Sequence, residues 1–347
     1  MMRQARRPLR VFVAWRPQSS ATRSAGPAKD LAKMVAWLAQ SQDIVVRTAT
    51  VISQTWPQVA SATPSSDLYP VAPGGATGGE PGTDSDARPS ADSGAAAAFS
   101  AWLHDEGTAV ATQAQEQLRA AGVPTEMLDE EQPTVVLSDH SETSKLIEAA
   151  EEFDADVIVI GSQTGAPKGH FRAGATANAL LHCSPIPVLL VPNDHRASKT
   201  GPTRVTCAYV DTEQSQQALR HAADLANRWQ VPLRLVAFSP PGATMYPSQI
   251  ATQDHADAMT KTWKQQAQQL LERGRKRALA RHPELKVETA IGKGAGWAAA
   301  IEDATWKKGD LLVLGSSVLG DFNRVFIGPS TSQILRHVPV PVFLSTV

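Results

Sequence analysis

The chain has 347 residues, 42% of them hydrophobic and 19% charged, with a formal charge of −1, which gives room for two domains of ordinary size. This balance leaves no basic block to serve as a footprint for nucleic acid or an anionic membrane, and no window approaches the roughly 18 apolar residues of a membrane span. Two cysteines, Cys183 and Cys207, lie inside apolar patterns and read as reduced core thiols, so the expectation is a soluble, cytoplasmic protein.

Arg3, Arg6, Arg7 and Arg10 precede the apolar run Val11–Trp15, which is too short for a signal peptide and reads as a buried strand. Leu31, Met34, Val35 and Leu38 recur at helical spacing between Ala28 and Gln42, and a second strand follows over Ile44–Val51. Residues 57–98 are dense in Ala, Gly, Ser, Pro and Asp and predict a disordered surface insertion, because they bury too little to offset the entropy of ordering. Beyond it the pattern predicts a helix over 98–121, a strand over 134–137, a helix over 141–153 and an apolar strand over 157–160. A helix over 176–182 and a last strand after Pro185 and Pro187 complete the first half.

The second half repeats this order. It runs from a strand at Val205–Val210 through Leu233–Phe238, a long basic helix over 259–280, a strand near 286–290 and a helix near 295–306. A strand over 311–314, a helix over 330–337 and a strand after Pro339 and Pro341 then follow. Asp310, Gly315, Gly328 and Pro339 each stand 154 residues after Asp156, Gly161, Gly174 and Pro185, whereas Val205 stands 194 after Val11. The 40 residues of difference fall in the first half, where the insertion holds most of them. Strands alternating with helices imply a doubly wound parallel sheet in each half, joined by a polar linker near 194–202. Paired prolines at the entrance of each last strand mark a sheet edge, and the simplest partner for that edge is the edge of the other copy.

Open parallel sheets bind ligands outside the carboxyl ends of their strands. Gly161 with Ser162, and Gly315 with Ser316 and Ser317, occupy such ends. Gly174 with Thr176, and Gly328 with Ser330 and Thr331, stand at the following helix starts, where free amides favour an anion. The same hydroxyls also fit a purely structural role as helix caps, and the glycines fit tight turns. His182 and His337 sit at helix ends as favourable cations, and no His/Cys/Asp cluster has zinc spacing, so no metal and no catalytic group are assigned. Trp229, Trp263, Trp297 and Trp306 read as packing residues, with Trp297 placed to border a cleft.

On these residues the chain resembles the universal stress protein family in its tandem two-domain form, over residues 9–193 and 203–347 with the 57–98 insertion excluded. The resemblance implies an α/β fold of two tandem Rossmann-like (adenine nucleotide alpha hydrolase-like) domains. Each would be a five-stranded parallel sheet flanked by helices, paired through the last strands, with a further homodimer within the family's range. Some members bind ATP or AMP through a Gly-x2-Gly-x9-Gly-[Ser/Thr] motif, an Asp ending the first strand and a small apolar residue in the second. Asp211 and Ala237 match the latter two positions. Thr164 and Ala175 depart from the motif in the first half, Val318 and Pro329 in the second, and Arg16-Pro17 replaces the first half's acidic residue. A β-branched residue resists the backbone approach of a phosphate. The expectation is a non-enzymatic stress-response module with an ATP or AMP site in the second domain. A ligand-free interaction scaffold is the alternative, and a slow ATPase, for which no base can be named, stands third.

Overall fold

The computed structural model describes residues 7–16, 26–53, 91–139, 141–239, 253–316, 325 and 328–346. In the first half these form β1 (Leu9–Ala14), α1 (Gly26–Ala39), β2 (Ile44–Ser53), α2 (Ala91–Ala120), β3 (Thr134–Asp139), α3 (Glu142–Glu152), β4 (Val157–Gly161), α4 (Ala175–Cys183) and β5 (Val188–Val191). The second half repeats the series as β6 (Arg204–Ala208), α5 (Glu213–Trp229), β7 (Leu233–Ser239), α6 (Gln253–Arg281), β8 (Val287–Lys293), α7 (Trp297–Asp303), β9 (Asp310–Gly315), α8 (Pro329–His337) and β10 (Val342–Ser345).

One ten-stranded sheet runs β3-β2-β1-β4-β5-β10-β9-β6-β7-β8. Within each half every pairing is parallel, and the halves meet where β5 and β10 pair antiparallel, Val342 opposite Leu190 and Leu344 opposite Val188. The proline-led strands therefore lie side by side at the centre. Proline's missing amide costs nothing at their entrances, and the carbonyls of Pro187 and Pro341 still accept from Ile158 and Leu312 at 2.9 and 3.0 Å.

Burial on both faces explains the unbroken apolar runs. Val11, Val13, Val157 and Val159 face a core shared with α1, α2, α5 and α6, while Phe12, Ala14, Ile158 and Ile160 face one shared with α3, α4, α7 and α8. Helix α5 starts at Thr212, whose side chain accepts from the Ser215 amide at 3.3 Å, and stops at Gln230 in the left-handed conformation.

Three boundaries differ from the sequence pattern. Residues 91–98, expected to belong to the disordered insertion, are the opening turns of α2, where the run Ala95–Ala98 has the strongest intrinsic helix propensity; residues 57–90 lie outside the described residues. Helix α6 begins six residues earlier than Met259, at Gln253. Helix α7 is confined to Trp297–Asp303, because the chain turns at Thr305 with φ 47°.

Candidate functional site

Two clefts correspond by topology, one at the carboxyl ends of β6 and β9, the other at the ends of β1 and β4. In the second domain β6 leads through buried Tyr209 to Asp211, whose carboxylate is 41% exposed. Arg277 of α6 donates to its Oδ1 at 3.0 Å and Arg273, one turn earlier, to its Oδ2 at 3.2 Å. These bonds, Arg277's foremost, hold the carboxyl below the usual range, so Asp211 is ionised and already clasped. Arg277 also donates to the Tyr209 hydroxyl. Helix α6 comes this close because of Gly274: a Cβ there would stand 2.8 Å from the Tyr209 ring.

Gly315 ends β9, and the space its Cβ would need is taken by the Gln214 carbonyl, 2.7 Å away. This glycine lets the first turn of α5 lie against the strand end, a structural demand sufficient to explain it. Ser316 beside it is buried, and Ala237 is buried on β7 opposite Ile291. Gly328 caps α8 in extended conformation (φ −87°, ψ 175°), its carbonyl accepting from Ser332 N at 3.0 Å; Ser330 is exposed and Thr331 half-buried in the first turn of that helix. Ser317 and Val318 lie outside the described residues. The register of β7, β6 and β9 thus brings Ala237, Asp211, Gly315 and Ser316 to one edge of the sheet.

The first-domain cleft is filled differently. Arg16, one position before the residue that corresponds to Asp211, donates from Nη2 to Thr176 Oγ1 at 2.5 Å and lies 3.5 Å from the Glu142 carboxylate. Its Nη1 is 3.7 Å from where a Gly174 Cβ would be, so the guanidinium lies over the start of α4. A cation beside the positive end of a helix is unfavourable by itself, and the Thr176 oxygen and Glu142 compensate for it. Ser162, next to Gly161 at the end of β4, is buried and accepts from the Arg172 amide at 2.9 Å, fastening its own loop. Gly161, Ser162, Gly174 and Thr176 are therefore together, but two of their side-chain oxygens are committed to protein.

Sequence reasoning missed Arg16 as a cleft residue and missed the Arg273/Arg277 clasp. The i,i+4 arginines in a basic helix were the available signal, with nothing to say which strand end they would meet.

Two parallel five-stranded units joined through their last strands, with glycines and hydroxyls gathered at the carboxyl ends, define a tandem α/β protein of the Rossmann-like type. The family model described as "Universal stress protein family" matches residues 87–192 and 202–345, and the chain belongs to that family. It is 34% identical over 249 residues to universal stress proteins of Mycobacterium bovis and Mycobacterium tuberculosis, covering 72% of this chain and 82% of theirs. In fold it is similar to a universal stress protein from Archaeoglobus fulgidus, with a TM-score of 0.56, 16% identity, and coverage of 97% of this chain and 98% of that one. The family match begins at residue 87, near the end of the insertion, so β1, α1 and β2, with the divergent Arg16, lie outside it.

No helix among the described residues is long and apolar enough to cross a membrane, and none of their His, Cys, Asp and Glu side chains gather in threes as a metal would need.

Proposed function

We propose that this universal stress protein works in the cytoplasm as a binding module of two domains, residues 9–193 and 203–347, with the second domain taking ATP or AMP. One observation carries this reading: the clefts are unequal. Arg16 covers the helix start in the first, whereas in the second an exposed, ionised carboxylate stands at the strand end. Asp211 would receive the donors of the adenosine moiety, Ala237 would floor the adenine, and Ser316, Ser330 and Thr331 would flank the phosphates at the start of α8. Ligand entry requires the two arginines to share or release Asp211, which makes them part of the same site.

Titration calorimetry with ATP and AMP on the wild type and Asp211→Ala tests the assignment. A saturable heat that weakens at least about tenfold in the variant is expected; equal heats in the two proteins would sink it. Because the Asp211 pair is exposed, its loss should leave the fold intact.

The second reading, a ligand-free scaffold, is favoured by two facts: Asp211 already has its cations, and Gly315 is explained by Gln214. It requires that no nucleotide be released when freshly purified protein is denatured and that neither titration show saturable heat.

A further inference from the structure

Away from both clefts, the linker between the domains runs through a concentration of positive charge. A cavity of about 370 Å³ lies beside it on the β10 side, lined among others by Lys168, Arg196, Lys307 and Lys308. A second, of about 390 Å³, lies on the α1 side and adds Lys33. Both are walled by Asp194, His195, Arg196 and Lys308, so they are two lobes about one stretch of chain.

The charge here is not neutralised as it is elsewhere. Arg47, Arg204 and Arg281 each face a carboxylate within 2.6 Å. Among the described residues, by contrast, Arg196, Lys307 and Lys308 form no ion pair. The acids present are already engaged. Asp194 reaches Lys168 at 3.5 Å, and buried Asp30 accepts from the Asp194 amide at 2.7 Å and faces Lys33 at 3.5 Å. Five cations against two carboxylates leave a net positive site.

The site is also built rather than incidental. Asn193 exchanges backbone bonds with Gly169 and His170 at 2.6 and 3.0 Å, and Ser198 donates to the Lys308 carbonyl at 3.2 Å, so cations from both domains are mounted on one fixed frame. Beneath them His195 is 4% exposed, walls both lobes, packs its ring against Trp37, and has an Nε2 with no hydrogen-bond partner among the described residues. A buried, unsatisfied ring nitrogen costs stability unless something else meets it.

We propose that this seam is a binding site for a multivalent phosphate chain, inorganic tripolyphosphate or the phosphate tail of a nucleotide, held by Arg196, Lys307 and Lys308 and bridging the two domains. Phosphate suits the set because guanidinium binds it bidentately while ammonium groups act as point charges around it. The site is independent of Asp211.

The test is calorimetric titration of the full chain with tripolyphosphate, ATP and citrate at fixed ionic strength. Three proteins are compared: wild type, Asp211→Ala, and a triple variant carrying Arg196→Gln, Lys307→Gln and Lys308→Gln, all exposed positions that leave the core untouched. Tripolyphosphate is expected to bind saturably to the wild type and to Asp211→Ala alike, and about tenfold or more weakly to the triple variant. If ATP also binds Asp211→Ala and weakens in the triple variant, a nucleotide tail is an occupant; if only tripolyphosphate does so, the occupant is free polyphosphate. Absence of saturable binding, equal affinity for citrate, or an unchanged triple variant would each overturn the proposal. Loss of ATP binding in Asp211→Ala with tripolyphosphate binding retained speaks to the strand-end cleft alone.

Discussion

His195 shows how one buried side chain sets a pH dependence. Burial first, and the Lys33 charge second, hold its pKa at about 4 against an ordinary 6.5. The unfolded chain takes up a proton as pH falls below 6.5, while the native protein does so only near 4. The imidazole's contribution is therefore complete above pH 6.5 and is lost across the window down to 4, amounting to about 3 kcal/mol in all. Asp30 acts in the opposite sense: burial raises its carboxyl, so the native state protonates first and gains stability as pH falls. The two are separated by comparing urea unfolding of wild type and His195→Gln at about pH 7 and pH 4.5. The wild type should lose roughly 2 kcal/mol more than the variant over that interval; parallel losses would mean that His195 titrates normally in the fold.

At the scale of elements, a charge cluster ties the strand starts together in each domain, buried in the second and partly exposed in the first. In the second domain Arg204 on β6 grips Asp310 on β9 through both oxygens, at 2.9 and 2.6 Å, while Arg234 on β7 lies 3.8 Å from the same carboxylate and stacks over Trp306. In the first domain the Arg10 amide meets Asp156 at 2.8 Å, and Arg10 and Arg47 both lie over Phe153. Asp310 is fully buried, and Arg234, crowded by burial and by Arg204, has its pKa pulled down to about 10. Removing the shared anion leaves two buried cations facing each other. Asp310→Ala should therefore cost about 3–5 kcal/mol in denaturant titration, with Asp310→Asn milder because it keeps an acceptor. A loss under about 1 kcal/mol would show that the cluster relaxes into water.

The fold was readable from the sequence because apolar runs, paired prolines and duplicated glycines are local patterns, and they led to two parallel halves of alternating strands and helices and to the central β5·β10 edge. Asp211 was noticed only because the family resemblance implies an acidic residue after the first strand, and the structure places it just beyond β6. What escaped were the side-chain contacts between elements: Arg277 reaching Asp211 over 66 residues, Arg16 reaching Thr176 over 160, and Arg204 reaching Asp310 over 106. The first two depend on how a helix is rotated against a strand end, which periodicity leaves open by a turn in either direction, and the third on the register of β6 against β9. The start of α2 was misjudged for another reason, since the insertion's low apolar content masked the helix propensity of its alanines.

For the whole molecule, the joint between domains is part of the core. Val188 and Leu190 of β5, with Val342 and Leu344 of β10, are fully buried in one cluster that also holds residues of α4 and α8. On the other face Trp37 of α1 meets Trp229 of α5 edge-on, with ring centroids 6.4 Å apart. Both cores cross the joint, so neither domain can open without exposing apolar surface of the other. Unfolding in urea should then be a single transition, with tryptophan fluorescence and far-ultraviolet circular dichroism tracing the same curve. Leu190→Asp places an unpaired charge where β5 faces β10, at a cost of several kcal/mol borne by the joint more than by either sheet. It should separate the transition into two and expand the radius of gyration seen in solution scattering. Two transitions already present in the wild type, or a single unchanged one in Leu190→Asp, would mean that the pairing of the strands does not couple the domains.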